Sequence, residues 1–251
     1  MRVVILSAGQ GRRLLPLTNN LPKCMLCIHE KSLLEWQVDE LLKCGIEQVT
    51  VVAGYGADQV EKLLAGRYKS HKVRTIYNPF YAVADNLVSC WVARTEMNGD
   101  FILLNGDTLF ETAVLQRLLA SPDRPVTVTI DRKLTYDADD MKVVLDGERL
   151  VRIDKDIPPD QVDAESVGMI SFRGEGPALF RAVIEQALRR PQGLKQWYLS
   201  GIDEMAQSMP IWTCSIEGLQ WVEIDYPADL KEAERLVQSW IQKQDLAAGT
   251  G

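Results

Sequence analysis

Three cations follow the first hydrophobic run of this chain. Val3-Val4-Ile5-Leu6 ends at Ser7, then comes Ala8-Gly9-Gln10-Gly11-Arg12-Arg13, and the chain continues through Pro16-Leu17-Thr18 to Pro22-Lys23. Glycines placed directly after a buried strand let backbone N–H groups approach an anion closely. Arginine adds a planar fork of donors, and lysine adds a compact point charge. The combination suits a phosphate. It is not a dinucleotide fingerprint, because Leu14 stands where the third glycine belongs. Nor is it a P-loop, since no Gly-Lys-Ser or Gly-Lys-Thr occurs. The plain alternative is a glycine turn with a solvated basic rim.

A second set of groups is acidic. Asn105-Gly106-Asp107 closes the apolar run from Phe101, and Asp225 closes Trp221-Val222-Glu223-Ile224 in the same way. A carboxylate at a strand end faces solvent where a ligand would sit, although an aspartate there can also serve as a turn or cap residue. Magnesium takes one or two carboxylates and completes its shell with water and substrate phosphate oxygens. Asp107 and Asp225 are therefore candidate Mg²⁺ ligands. The two histidines, His29 and His71, lie in no motif. Cys24-x-x-Cys27 is half of a zinc pattern without a second pair, so the five cysteines read as small buried hydrophobes.

Positioning these groups requires a scaffold. Residues 2–7 and 48–54 read as strands buried on both faces. A helix is expected near 32–44, where Ser32 and Glu35 form a capping box and Gly45 is the stop. Further elements alternate: a helix at 57–66, a strand at 72–78, a helix at 86–97 and a strand at 100–107. Alternation of this kind implies a parallel sheet flanked by helices, with functional loops at the C-terminal strand ends. After about residue 125 strands dominate. Asp146-Gly147 marks a hairpin, and 165–172 reads as a strand. Helices follow near 176–190 and 194–208, then a strand at 219–225, a final amphipathic helix at 227–243, and a tail, 244–251, expected to fray. We read residues 1–243 as one α/β domain, with an alternating half (1–120) and a β-rich half (121–243).

Composition narrows the function classes. The 251 residues carry a formal net charge of −7, a poor basis for non-specific nucleic-acid binding. No apolar stretch reaches the roughly 20 residues of a membrane span, and the N-terminus does not read as a signal peptide. The expected location is cytoplasmic, with no nucleic-acid or membrane partner; a homodimer is left open.

The run from Leu6 to Lys23 resembles the signature loop of the nucleotidyltransferases that activate sugar and alcohol phosphates, an A-G-x-G-x-R-L run followed by P-L-T and P-K. Arg12 stands where that loop usually has serine or threonine. The resemblance continues through Gly54-Tyr55, the segment Tyr77 to Trp91, Asp107 and Glu223-Ile224-Asp225-Tyr226-Pro227. Within Asp85-Asn86-Leu87-Val88-Ser89, the N-x-x-S pattern is similar to the phosphocholine cytidylyltransferase branch, whose neighbours handle inositol phosphate and aminoethylphosphonate. Asn86 could also merely cap a helix.

The resemblance implies a Rossmann-like, nucleotide-diphospho-sugar transferase-like α/β fold, and an Mg²⁺-dependent transfer from CTP to a small phosphate or phosphonate monoester. It implies a nucleotide-binding half (1–120), an acceptor-binding half (121–243) and catalytic roles for Arg13, Lys23 and Lys155. It places Ala8, Gly9, Gly11, Arg12, Gly54, Tyr55, Asp85, Asn86, Ser89 and Asn105 around the nucleotide. It places Lys142, Lys155, Glu165 and Gly168 around the acceptor. Phosphocholine enzymes of the branch carry aromatics for the quaternary ammonium. Near 139–142 this chain has Asp139-Asp140-Met141-Lys142 instead, leaving Trp197 and Tyr198 as substitutes and choline disfavoured. Three alternatives stand beside this reading: a sugar-1-phosphate nucleotidyltransferase using another NTP, a molybdenum-cofactor guanylyltransferase-like enzyme, and a regulatory protein that binds nucleotide without turnover.

Overall fold

The computed structural model describes residues 1–248. The first half alternates strand and helix: β1 (Arg2–Ser7), the short hairpin β2 (Cys27–Ile28) and β3 (Lys31–Ser32), α1 (Leu33–Lys43), β4 (Gln48–Ala53), α2 (Ala57–Arg67), β5 (Val73–Tyr77), α3 (Asn86–Val92) and β6 (Phe101–Asn105). Then come β7 (Thr108–Phe110), α4 (Thr112–Leu119), β8 (Val126–Asp131), β9 (Lys142–Asp146), β10 (Arg149–Asp154), β11 (Ala164–Phe172), α5 (Gly176–Leu188) and α6 (Tyr198–Ala206). Finally come β12 (Ile211–Ser215), β13 (Trp221–Glu223) and α7 (Pro227–Ala248). The last helix runs past the expected end at 243; the remainder of the expected frayed tail, 249–251, lies outside the described residues.

One nine-stranded sheet spans both halves in the order β5-β4-β1-β6-β11-β8-β12-β10-β9. The strands β5, β4, β1 and β6 are parallel, and β11 enters antiparallel between β6 and β8. Strand alternation explains why the middle of β1 is buried on both faces: Val4 packs into one core, while Val3 and Ile5 pack into another. The capping box at Ser32 is present, with the Glu35 amide donating to the Ser32 hydroxyl and the Ser32 amide to the Glu35 carboxylate.

A third core decides the site. Leu14 of the glycine-arginine loop, Trp36 of α1, Leu109 of β7, Ile224 and α7 residues Ala233, Val237 and Trp240 pack together. Above it, β7 and β13 form their own antiparallel ladder, with Thr108 opposite Glu223. Five elements escape the sequence reading, the short strands β2, β3 and β7 together with α4 and β12, and the strand expected over 219–225 shrinks to β13. Among the described residues, no helix is long and apolar enough to cross a membrane.

Candidate functional site

The signature loop leaves β1 and is braced from three sides. Gly11 adopts φ +74°, and a Cβ there would lie 2.8 Å from Cβ of Lys23, so the glycine lets the loop fold onto the lysine stem. The buried Thr18 hydroxyl donates to the Gly11 carbonyl at 2.8 Å. The Tyr55 amide donates to the Ala8 carbonyl at 3.0 Å, and a Cβ on Gly54 would collide with that same oxygen and with Tyr81.

The acidic turn is clamped as firmly. Gly106 has no room for a Cβ, which would meet the Leu6 carbonyl at 2.4 Å. Gln37, buried on α1, donates to the carbonyls of Asn105 and Thr108, both at 2.8 Å. The Ile224 amide donates to the Asp107 carbonyl at 3.0 Å, and Asp229 accepts from the amides of Asp225 and Tyr226. Asp107 and Asp225 are thus brought together by backbone contacts, independent of any ligand.

Between them sits Lys23. Its ammonium is 2.9 Å from Oδ2 of Asp107 and 2.5 Å from Oδ1 of Asp225. Burial alone would lower the lysine pKa; the two carboxylates outweigh it and hold the ammonium above its ordinary value. Asp107 is not the solvent-facing residue expected from sequence: its side chain is 24% exposed, and Oδ1 is buried with no hydrogen-bond partner. An orphaned carboxylate oxygen beside an ammonium is a place prepared for cations. Among the described residues, no group of three or more His, Cys, Asp or Glu is arranged as a metal cage. The Asp107–Asp225 pair therefore fits an ion such as Mg²⁺ that takes its remaining ligands from substrate and water.

The charge network continues. Arg13 pairs with Asp225 at 3.0 Å and with Asp139 at 2.9 Å, and stacks over Tyr226. The other oxygen of Asp139 is 3.6 Å from the Lys155 ammonium, which lies over the Trp197 indole at 4.7 Å. Arg12 has no protein partner for its guanidinium among the described residues. It lines two adjoining compartments, one of about 350 Å³ holding Lys23, Asp107, Asp225 and Lys155, and one of about 590 Å³ holding Ala8, Tyr55, Asp85, Asn86 and Ser89.

The larger compartment is built from polar groups on α3 and the segment before it. Ser89 is buried and accepts from Asn78 at 3.0 Å. Asp85, not Asn86, occupies the helix N-cap position, and it caps through no side-chain bond. Asn86 is the first helical residue, and its side chain accepts from the Tyr198 amide at 2.9 Å. The Asn105 side chain accepts from the fully buried Tyr198 hydroxyl, which withdraws Tyr198 from ligand contact.

Two of the expected acceptor residues are placed elsewhere. Lys142 is buried and spends its ammonium on the Lys155 carbonyl at 2.7 Å, so it braces the chain at Lys155 and does not face the cleft. Glu165 is buried against Lys133 at 2.8 Å, and the same ammonium reaches Asp140 at 2.7 Å. Burial pushes the Glu165 carboxyl up to about 7 against the pull of Lys133. Gly168 does line the cleft, at φ +74° where the β11–β8 register shifts; a Cβ would stand 2.5 Å from the Asn105 amide nitrogen.

Sequence reasoning missed Glu223, which lines the cleft. The residue is exposed at the cleft, beside Asp107 and Asp225. Desolvation of the carboxyl group, then the charges of Asp107 and Asp225, raise its pKa. The signal was in the sequence: residues two apart on a strand share a face, so Glu223 and Asp225 point the same way. Cys24, Cys90 and Cys214 are buried as expected, whereas Cys27 is exposed.

Comparison with known proteins gives the family and the fold. The family model for the MobA-like NTP transferase domain matches residues 3–190. A CMP-5′-(3-aminopropyl)phosphonate synthase of Streptomyces rubellomurinus is 28% identical over 93% of this chain, which spans only 38% of that longer protein. The choline-phosphate cytidylyltransferase of Streptococcus pneumoniae is 25% identical over 95% of this chain and 99% of its own. The solved inositol-1-phosphate CTP transferase from T. maritima superimposes with a TM-score of 0.78 over 93% of each chain at 22% identity, a likeness of fold.

Proposed function

The chain belongs to the MobA-like NTP transferase domain family, and from that premise we propose that it is a cytidylyltransferase, moving CMP from CTP to a small phosphate or phosphonate monoester. The observation that carries this reading is Lys23 held between Asp107 and Asp225, with Arg13 and Lys155 beyond them and a polar, nucleoside-sized compartment alongside. The named activities of the aminopropylphosphonate and phosphocholine relatives support the donor and the acceptor class.

The chemistry follows from charge. A phosphate monoester has its second pKa near 6 and is largely dianionic at neutral pH, so its oxygen needs no general base. His29 and His71 are accordingly dispensable, and both lie outside the cleft. The acceptor oxygen forms a bond to the α-phosphorus as the bond from that phosphorus to the bridging oxygen breaks. The electron pair leaves with pyrophosphate. Catalysis then rests on bringing two polyanions together and neutralising them. Asp107 and Asp225 would hold Mg²⁺, which supplies charge neutralisation at the phosphates when bound. Lys23, which closes the signature loop, would supply positive charge to the triphosphate. Arg12 and the loop amides receive the leaving phosphates, and Lys155 orients the acceptor. Asp85, Asn86 and Ser89 line the compartment offered to the base and ribose, with Ser89 held by Asn78. Calorimetric titration with each of CTP, UTP, ATP and GTP in Mg²⁺ tests the donor: CTP should bind most tightly, and tighter binding of a purine nucleotide would refute the assignment.

A further inference from the structure

The carboxylate of Asp139 is held by Lys155, the lysine proposed above to orient the acceptor, together with Arg13 of the signature loop and the Tyr226 hydroxyl. Oδ2 accepts from Arg13 at 2.9 Å and from the Tyr226 hydroxyl at 2.7 Å, while Oδ1 faces the Lys155 ammonium at 3.6 Å. Tyr226 in turn accepts from Arg13 at 3.3 Å. One anionic group is therefore gripped by a guanidinium, a phenol and an ammonium from three separate parts of the chain. Asp139 itself is nearly half exposed at the cleft wall.

The segment that carries it, residues 132–141 between β8 and β9, is anchored apart from that grip. Lys133 bridges Asp140 and the buried Glu165, and Asp137 accepts from the amides of Asp139 and Asp140 at 2.8 and 3.2 Å. Its outer turn projects outward, with Leu134 fully exposed. The anchor keeps the Asp139 carboxylate within reach of its cations while leaving the side chain free to swing off them.

We propose that Asp139 is a built-in stand-in for the acceptor's phosphoryl or phosphonyl group, tying Arg13 to Lys155 until a dianionic acceptor displaces it. This rests on the acceptor site proposed above and adds a selection rule. A dianion with three oxygens can satisfy both cations and the phenol, whereas a carboxylate ligand would only exchange like for like. Asp139 thus sets specificity by competition and keeps the cations from scavenging weaker anions. It also couples the two substrates, because Arg13 belongs to the nucleotide loop and Lys155 to the acceptor half.

The test uses methylphosphonate as the probe, at a pH where it is dianionic, with the donor compartment filled by Mg²⁺ and a non-hydrolysable CTP analogue. Its affinity is measured for the wild type, Asp139→Asn and Asp139→Ala, and thermal melting confirms that each variant is folded. Both variants should bind the probe more tightly, on the order of threefold to tenfold given that the contacts are partly solvated. They should also bind acetate more tightly than the wild type does. Equal or weaker methylphosphonate binding by the variants would overturn the stand-in while leaving the acceptor site intact. Absence of probe binding in all three proteins would overturn the acceptor site, and the stand-in with it.

Discussion

Lys23 reaches Asp225 at 2.5 Å, across almost the entire length of the sequence. The contact joins the loop after β1 to the turn before α7, so the site exists only when both ends of the domain are folded. Removing either carboxylate leaves a buried ammonium partly uncompensated, a costly state. Asp107→Ala should therefore lower turnover by at least about a hundredfold, in line with the loss of one essential electrostatic contact. It should also weaken Mg²⁺ dependence measured by titrating the metal at saturating nucleotide. Near-normal turnover would show that another carboxylate, with Glu223 the nearest candidate, anchors the ion.

The two lysines should separate by substrate. Lys23→Ala should chiefly weaken CTP binding, since Lys23 closes the signature loop. Lys155→Ala should raise the acceptor KM and leave CTP affinity nearly unchanged, with a desolvated charge-assisted contact worth roughly 1.5–3 kcal/mol. Saturation curves for both substrates decide the matter. Equal loss of CTP affinity in the two variants would place Lys155 in the donor site.

Gly168→Ala tests the wall of the cleft. A left-handed backbone costs an L-residue about 1–2 kcal/mol, and the new Cβ would press on the Asn105 amide. Asn105 holds Tyr198 through its other side-chain atom, so the strain spreads to the N-terminal turn of α6. We expect a lower Tm together with reduced turnover; an unchanged Tm would mean that the β11 bulge relaxes freely.

Glu165 predicts a pH dependence of stability. Its carboxyl is raised by burial from 4.5 to about 7. The folded state thus binds its proton more tightly than the unfolded state. That contribution is fully present below about pH 4.5 and is lost as pH rises through about 7. Glu165→Gln stays neutral throughout, so its Tm relative to the wild type should climb between pH 5 and 8. A Tm difference that is flat with pH would show that Lys133 neutralises Glu165 completely.

Much of this architecture could be read from the chain itself because local signals agreed. The hydrophobic run of β1, the Ser32–Glu35 box and the Asp146-Gly147 turn each have a short-range cause, and each is present. The helix α4 was missed because it is eight residues long and Glu111 caps it with no side-chain bond, so it carries no start signal. Strand β12 is five residues in the middle of the sheet and depends on its neighbours β8 and β10 for existence. At the site, the residues of the signature loop were legible, but which lysines face the cleft was not. Lys142 opens β9 and Lys155 follows β10, and only tertiary packing turns one toward the Lys155 carbonyl and the other toward Trp197. The Asp139 contact with Arg13 spans 126 positions and has no local signature at all.

The most direct test of nucleotidyl transfer is pyrophosphate release. The purified chain is incubated with Mg²⁺, each of the four NTPs in turn, and a panel of phosphate and phosphonate monoesters that includes phosphocholine, inositol phosphate and aminoalkylphosphonates. The account predicts pyrophosphate release with CTP and with at least one member of the panel, stoichiometric with a CMP-linked product and absent when the acceptor is withheld. Release confined to another NTP, or CTP binding with no release against any acceptor, would contradict it.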